Sequence, residues 1–203
     1  MTLYSRPIKW IAYKRFRFRL KTSYRAVLKC YEVFSDELLN DYEKIDTCLS
    51  LLVKPGLLLR FLNPDKKIEL FHRIFKEFID VSGKKADNKK YFDFKQDAGF
   101  IFSSFWQCYR IDLMKHHSRL HWWEFIALFN GLSDDTKIMQ IIAIRSRPLP
   151  KPTKYNAEER RQLIRLKQLY QLEVSEKERK EQFQKGLAEI ASALITLAGG
   201  AKK

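Results

Sequence analysis

Residues 120–132 read Leu120-His121-Trp122-Trp123-Glu124-Phe125-Ile126-Ala127-Leu128-Phe129-Asn130-Gly131-Leu132. Leu120, Trp122, Trp123, Phe125, Ile126, Leu128 and Phe129 nearly encircle a helix, and Gly131 is placed to end it. A helix apolar on most sides must be covered on most sides, either by its own fold or by a partner. Upstream, Phe100, Ile101, Phe102, Phe105, Trp106 and Tyr109 surround most of a second helix in the same way. These two segments point to a mainly α fold.

The neighbouring segments agree. Downstream, Ser133 starts a helix carrying Ile138, Ile141, Ile142 and Ile144, with Asp134 and Asp135 in a first turn whose dipole favours acids. Pro148, Pro150 and Pro152 make an extended connector, and Asn156 caps a basic helix reaching about Leu172. Upstream, Asn63-Pro64-Asp65 opens a helix with Ile68, Phe71, Ile74, Phe75 and Phe78 on one face. Asn40 and Glu43 form a capping box ahead of Tyr42, Ile45, Leu49 and Leu52, and Pro55-Gly56 stops that helix. Behind a Thr22/Ser23 cap, Tyr24, Val27, Leu28, Tyr31 and Phe34 keep helical spacing. Ser82–Lys90 reads as an exposed polar loop.

Two ends differ from this helical middle. Phe16, Phe18 and Leu20 alternate with Arg15, Arg17, Arg19 and Lys21, the period of a strand with one apolar and one charged face. With Trp10 and Tyr13 before it, the run suggests a small hairpin, either an edge strand guarded by arginines or a nucleic-acid contact. At the other end Phe183, Leu187, Ile190, Leu194 and Leu197 follow heptad spacing for about two heptads. That spacing fits an amphipathic helix on its own domain as well as an oligomer seam or a dock for another helix. The expected architecture is thus a compact helical domain with a short N-terminal β-strand or hairpin and a C-terminal amphipathic helix. Its segments are 1–21, 22–172 and 173–203.

The 203 residues carry a net charge of +15, unevenly spread. Residues 1–31 hold nine basic side chains and no acid, and residues 136–155 hold five and none. Such stretches attract nucleic acid, anionic lipid or acidic protein without choosing among them. No run of 18 apolar residues suggests a membrane span, and Cys30, Cys48 and Cys108 read as thiols in a reducing cytoplasm.

Catalytic signatures are missing. His117 and His121 share a helical face, but neither a His-Glu-x-x-His pattern nor a nearby third ligand accompanies them. Cys-x-x-Cys pairs, phosphate-cradling glycine loops and Gly-x-Ser-x-Gly are absent. The expectation is a non-enzymatic protein without cofactor or metal.

One long stretch is specific. Phe92-Asp93-Phe94, Asp97-Ala98, Phe100-Ile101-Phe102, Phe105 and Ile111-Asp112-Leu113 lead into Leu120-His121-Trp122-Trp123-Glu124-Phe125, Ala127-Leu128-Phe129 and Gly131-Leu132. Asp135-Thr136-Lys137 and Ile144-Arg145-Ser146 follow. The series resembles a siphophage family of "gene 15 products" encoded beside the tape-measure gene. Thr22-Ser23-Tyr24-Arg25 resembles the start of that family's first helix, and Lys167 to Leu172 its closing basic helix, so the likeness covers about 16–172. It implies a tail-assembly chaperone in the host cytoplasm, absent from the mature virion. Such a protein binds the tape-measure protein, helps recruit tail-tube subunits and has no need of a membrane.

On that reading the candidate partner contacts are Trp122, Trp123, Phe129, Arg145, Phe183, Leu187, Ile190 and Leu194, the last four also serving self-association. Trp122 and Trp123 point about 100° apart on a helix, so one belongs in the core and the other nearer a surface. Nucleic-acid binding through 14–25 and 145–154 is the alternative but is disfavoured, since no sequence-reading motif accompanies the charge. A further alternative is a minor structural tail subunit.

Overall fold

The alternation Phe16-Arg17-Phe18-Arg19-Leu20 does fold as a strand. Trp10–Tyr13 (β1) and Phe16–Leu20 (β2) pair antiparallel, Tyr13 opposite Phe16 and Trp10 opposite Arg19. Ile11, Tyr13, Phe18 and Leu20 turn inward, while Trp10, Ala12, Arg17 and Arg19 are exposed. The computed structural model describes residues 8–14, 16–80, 90–115 and 120–173, and the chain falls into two units dividing after Pro148. The 82–89 part of the polar loop and the heptad-spaced segment lie outside the described residues.

One expectation is corrected at once. β2 is the central strand, because Val53–Lys54 (β3) pairs with Arg19 and Leu20 on its far side. A two-residue strand carries no period for a sequence reading to find.

Tyr24–Ser35 (α1) and Asp41–Leu52 (α2) pack as a pair, and their buried side chains belong to the same core as the sheet's apolar side. The Asn40 capping box forms on both sides, Glu43 N–H donating to Asn40 Oδ1 and Asn40 N–H to the Glu43 carboxylate, each at 2.9 Å. Ser23 makes no side-chain cap; α1 starts instead on backbone bonds to the 120s, Tyr24 N–H to Leu120 O and Trp122 N–H to Thr22 O. Cys30 and Cys48 face each other across α1 and α2, each Sγ within 4 Å of the other's carbonyl. The interaction with the Cys48 side chain, followed by burial, pushes the Cys30 thiol's pKa upward, which favours its protonated form.

After Pro55 a single 3₁₀ segment, Gly56–Phe61, leads to Pro64–Ile74 (α3), with proline in the first turn as expected. The same helix runs on through a π-helical turn, Phe75–Ile79. Phe78 and Ile79 in this turn are buried, Phe78 as the α-helical spacing places it, while Phe75, put on the same stripe by that spacing, is 43% exposed.

Ala98–Tyr109 (α4), Trp122–Asn130 (α5) and Lys137–Ser146 (α6) complete the larger unit. α6 begins at Lys137 behind Thr136, three residues later than a Ser133 cap would start it, because Ser133–Thr136 closes a turn of its own through Thr136 N–H to Ser133 O. Asp134 and Asp135 therefore precede the helix. In the second unit Ala157–Leu169 (α7) follows the proline connector. Asn156 holds the position before it but bonds backward, Nδ2 to Lys151 O and Oδ1 to Thr153 N–H, and so braces the connector instead of capping the helix.

The molecule is mainly α with a small antiparallel sheet at its N-terminal end. No helix among the described residues is long and apolar enough to cross a membrane.

Candidate interaction surfaces

The encircled helix α5 is covered by its own fold. Phe125, 1% exposed, stacks on Tyr24 of α1 and on Phe105 of α4, with centroids 4.8 and 5.2 Å away and rings nearly parallel. Phe94 and Phe129 close the cluster, and Phe92 packs on both. The tryptophans divide as their geometry requires: Trp122 is 2% exposed and Trp123 half-buried. Both donate to backbone, Trp122 Nε1–H to Ile79 O at 2.9 Å and Trp123 Nε1–H to Phe78 O at 2.8 Å. Adjacent indoles thus anchor consecutive carbonyls at the end of the π-helical turn.

His121 caps α5. Its Nδ1 accepts from Trp123 N–H at 3.1 Å, and its own N–H donates to Glu124 at 2.9 Å. Nδ1 must then be unprotonated, which leaves the ring proton on Nε2, facing Ile8 O at 3.5 Å. Burial, helped by Lys9, holds the His121 pKa below its ordinary value against the opposing pull of Ile8 O and Glu124. The folded state disfavours the proton that the unfolded chain accepts at about 6.5, so stability falls as pH drops below that value. In thermal melts from pH 7.5 to 5.5, His121→Asn, which keeps a capping acceptor but does not titrate, should show a flatter decline than wild type. Equal slopes would remove His121 as the cause.

Arg145 is equally committed. Its Nη1 and Nη2 grip Asp97 at 2.6 and 2.9 Å, and Nη1 also donates to Tyr91 O at 3.1 Å. The pair is 8% and 1% exposed on its side chains. Among the sequence-chosen contacts, then, Trp122, Phe129 and Arg145 sit inside the larger unit, and Trp123 is half-covered. Phe183, Leu187, Ile190 and Leu194 lie outside the described residues. Arg145 is also withdrawn from the basic stretch around it, which leaves the nucleic-acid alternative with fewer cations.

Exposed apolar side chains lie in several places, Trp10, Leu38 and Trp106 among them, and at the 3₁₀ segment such side chains line a groove. With three residues per turn, side chains repeat at i and i+3 and form three rows. Leu59 and Leu62 point inward, 4% and 6% exposed. Leu58 and Phe61 make a second row and Leu57 and Arg60 a third, with Leu57 59% and Phe61 68% exposed. An open groove flanks each outer row. Lys14, Phe16, Leu58, Phe61, Leu62 and Lys66 line one of about 450 Å³, with an apolar floor and a lysine at two corners. The other, about 330 Å³, is more polar and holds the Lys67–Asp46 ion pair at 2.6 Å.

Sequence reasoning passed over this ledge because it framed the segment only as what separates Pro55-Gly56 from Asn63-Pro64. The available signal was the run Leu57-Leu58-Leu59-Arg60-Phe61-Leu62: five apolar residues in six are more than one face of so short a turn can bury.

Among the described residues, no three His, Cys, Asp or Glu side chains gather as a metal site. His117, the other half of the histidine pair, is outside them, and His121 is occupied as a cap.

The family model described as "Bacteriophage Gp15 protein" matches residues 6–172. This is a phage protein, and the chain belongs to that family. The match includes both Thr22–Arg25 and the Trp122–Trp123 helix, which the fold brings together through the Thr22 and Leu120 backbone bonds. No curated protein and no solved structure matches the chain.

Proposed function

We propose that this chain is a non-enzymatic tail-assembly chaperone. It binds an amphipathic helix of the tape-measure protein, shields its apolar face and helps recruit tail-tube subunits. The single observation that supports this reading is the 3₁₀ ledge, where Phe61 and Leu58 border an apolar groove with lysines at Lys14 and Lys66. An amphipathic helix offers anchors at i, i+3, i+4 and i+7 to such a groove, and acidic flanks on it would meet the lysines. The choice of partner rests on this chain's resemblance to a family encoded beside the tape-measure gene. Its place of action is then the host cytoplasm, and it leaves before the virion is finished.

The test is co-expression with the tape-measure protein. Wild type should raise that protein's soluble yield and co-purify with it. Phe61→Asp removes an exposed ring, so the free protein's stability should stay within about 0.5 kcal/mol of wild type. Binding should weaken by about 2 kcal/mol, roughly thirtyfold, if Phe61 is an anchor. An unchanged soluble yield with wild type, or full activity of Phe61→Asp, would remove the basis for the proposal. Finding the protein in purified virions by mass spectrometry would instead support a structural tail subunit.

A further inference from the structure

We propose that the outer face of the three-stranded sheet is a docking site for an acidic polypeptide segment. The inference concerns a surface separate from the 3₁₀ ledge and does not rest on the tape-measure reading. The outward positions of the three strands are Trp10 and Ala12 on β1, Arg17 and Arg19 on β2, and Lys54 on β3. Pairing sets Arg19 between Trp10 and Lys54, and Arg17 beside Ala12. All five are exposed, three are cations, and none is a carboxylate. The cation nearest the hairpin tip that does meet an acid, Lys14 with Glu69 at 3.9 Å, lies off this face.

The arginines are organised. Their guanidinium carbons lie 5.8 Å (Arg17) and 6.0 Å (Arg19) from the centroid of the Trp10 ring, which is itself 51% exposed. Stacking on an indole restrains a guanidinium while its N–H edges stay available, and those edges match a carboxylate two by two. The charge complement of this face is therefore a row of Asp or Glu side chains on a partner.

Nucleic acid fits the same face less well. Single strands bind by stacking bases on open aromatic faces, and here the one aromatic ring among the described residues of the face already carries two guanidiniums. Duplex binding without sequence preference draws on about six to ten phosphate contacts, whereas among the described residues this face has three cations, and Arg145 is bound to Asp97.

The experiment uses the full chain and fluorescence anisotropy at about 50 mM salt, low enough to favour charge-driven binding. The probes are a labelled 20-residue peptide carrying ten glutamates and a single-stranded DNA of equal charge. Wild type should bind the peptide saturably and more tightly than the DNA. Arg17→Ser/Arg19→Ser should weaken peptide binding tenfold or more, while Lys29→Ser/Lys76→Ser, with the same charge removed from helical surfaces, should stay within twofold. Lack of saturable binding, equal weakening by both double variants, or tighter binding of DNA would each overturn the proposal. Should the serine variant fail to fold, Arg17→Lys/Arg19→Lys carries the test. It keeps the charge and loses the forked donors, so affinity should still fall several-fold, and full retention would sink the idea.

Discussion

Asp97→Ala will lower the stability of the larger unit by about 3–5 kcal/mol, the range expected when one partner of a buried ion pair is removed. The size follows from what is left behind. The Arg145 side chain is 8% exposed, and without Asp97 its described partner is Tyr91 O. Asp97 also accepts from Asp93 N–H at 2.9 Å, so the turn entering α4 loses one of its bonds as well, the backbone bond from Asp97 N–H to Asp93 O remaining. Arg145→Met should be milder, because methionine fills much of the stem's volume, although it leaves Asp97 as the uncompensated charge. The double variant Asp97→Leu/Arg145→Met should recover a good part of either loss, since a well-packed apolar pair replaces a buried ionic one at little cost. Denaturant titration of the three variants checks this. Asp97→Ala unfolding within 0.5 kcal/mol of wild type would show that water already reaches the guanidinium.

That ion pair marks where a sequence reading stops. Arg145 stands in a stretch with no acid for ten residues on either side except Asp135, so it reads as part of a basic patch; its partner is 48 residues away. Features fixed within a few residues were legible. The Asn40–Glu43 box, Pro64 in the first turn of α3 and the hairpin's alternation all form as read, because their causes are local backbone bonds and side-chain period. The unequal burial of Trp122 and Trp123 was legible for the same reason, as a 100° step on one helix. Their indole bonds to Ile79 and Phe78 were not, since nothing local indicates which carbonyls lie across the core. His121 shows a different limit. Histidine is not a favoured cap, and its role depends on a ring tautomer that burial and the Trp123 N–H select. The exposed turn between α2 and α3 was not legible as a surface for a simpler reason: nothing local to the run Leu57-Leu58-Leu59-Arg60-Phe61-Leu62 says which of its side chains the fold leaves outside.

Trp122→Ala will be among the most damaging single changes, with about 3–5 kcal/mol lost, the usual range for deleting a buried aromatic side chain. The indole is 2% exposed and touches Tyr31, Phe94 and Phe125, at centroid distances of 6.2, 6.2 and 5.9 Å, so three elements lose packing together. Trp122→Phe separates volume from hydrogen bonding. The ring still fills most of the site, but Ile79 O loses its donor, a loss of about 1–3 kcal/mol for a buried acceptor. Trp123→Phe removes the equivalent donor from Phe78 O at a half-buried position, where water can substitute, so its effect should be smallest. The expected order of destabilisation is therefore Trp122→Ala, then Trp122→Phe, then Trp123→Phe, read from thermal and denaturant melts of the free protein. The series also separates two roles for the tryptophan pair. A partner anchor would weaken complex formation while leaving the free protein's melt unchanged, whereas a core anchor moves the melt first. A Trp122→Ala protein that melts like wild type would mean that this side chain leaves the core in solution, and the pair would regain its standing as a contact surface.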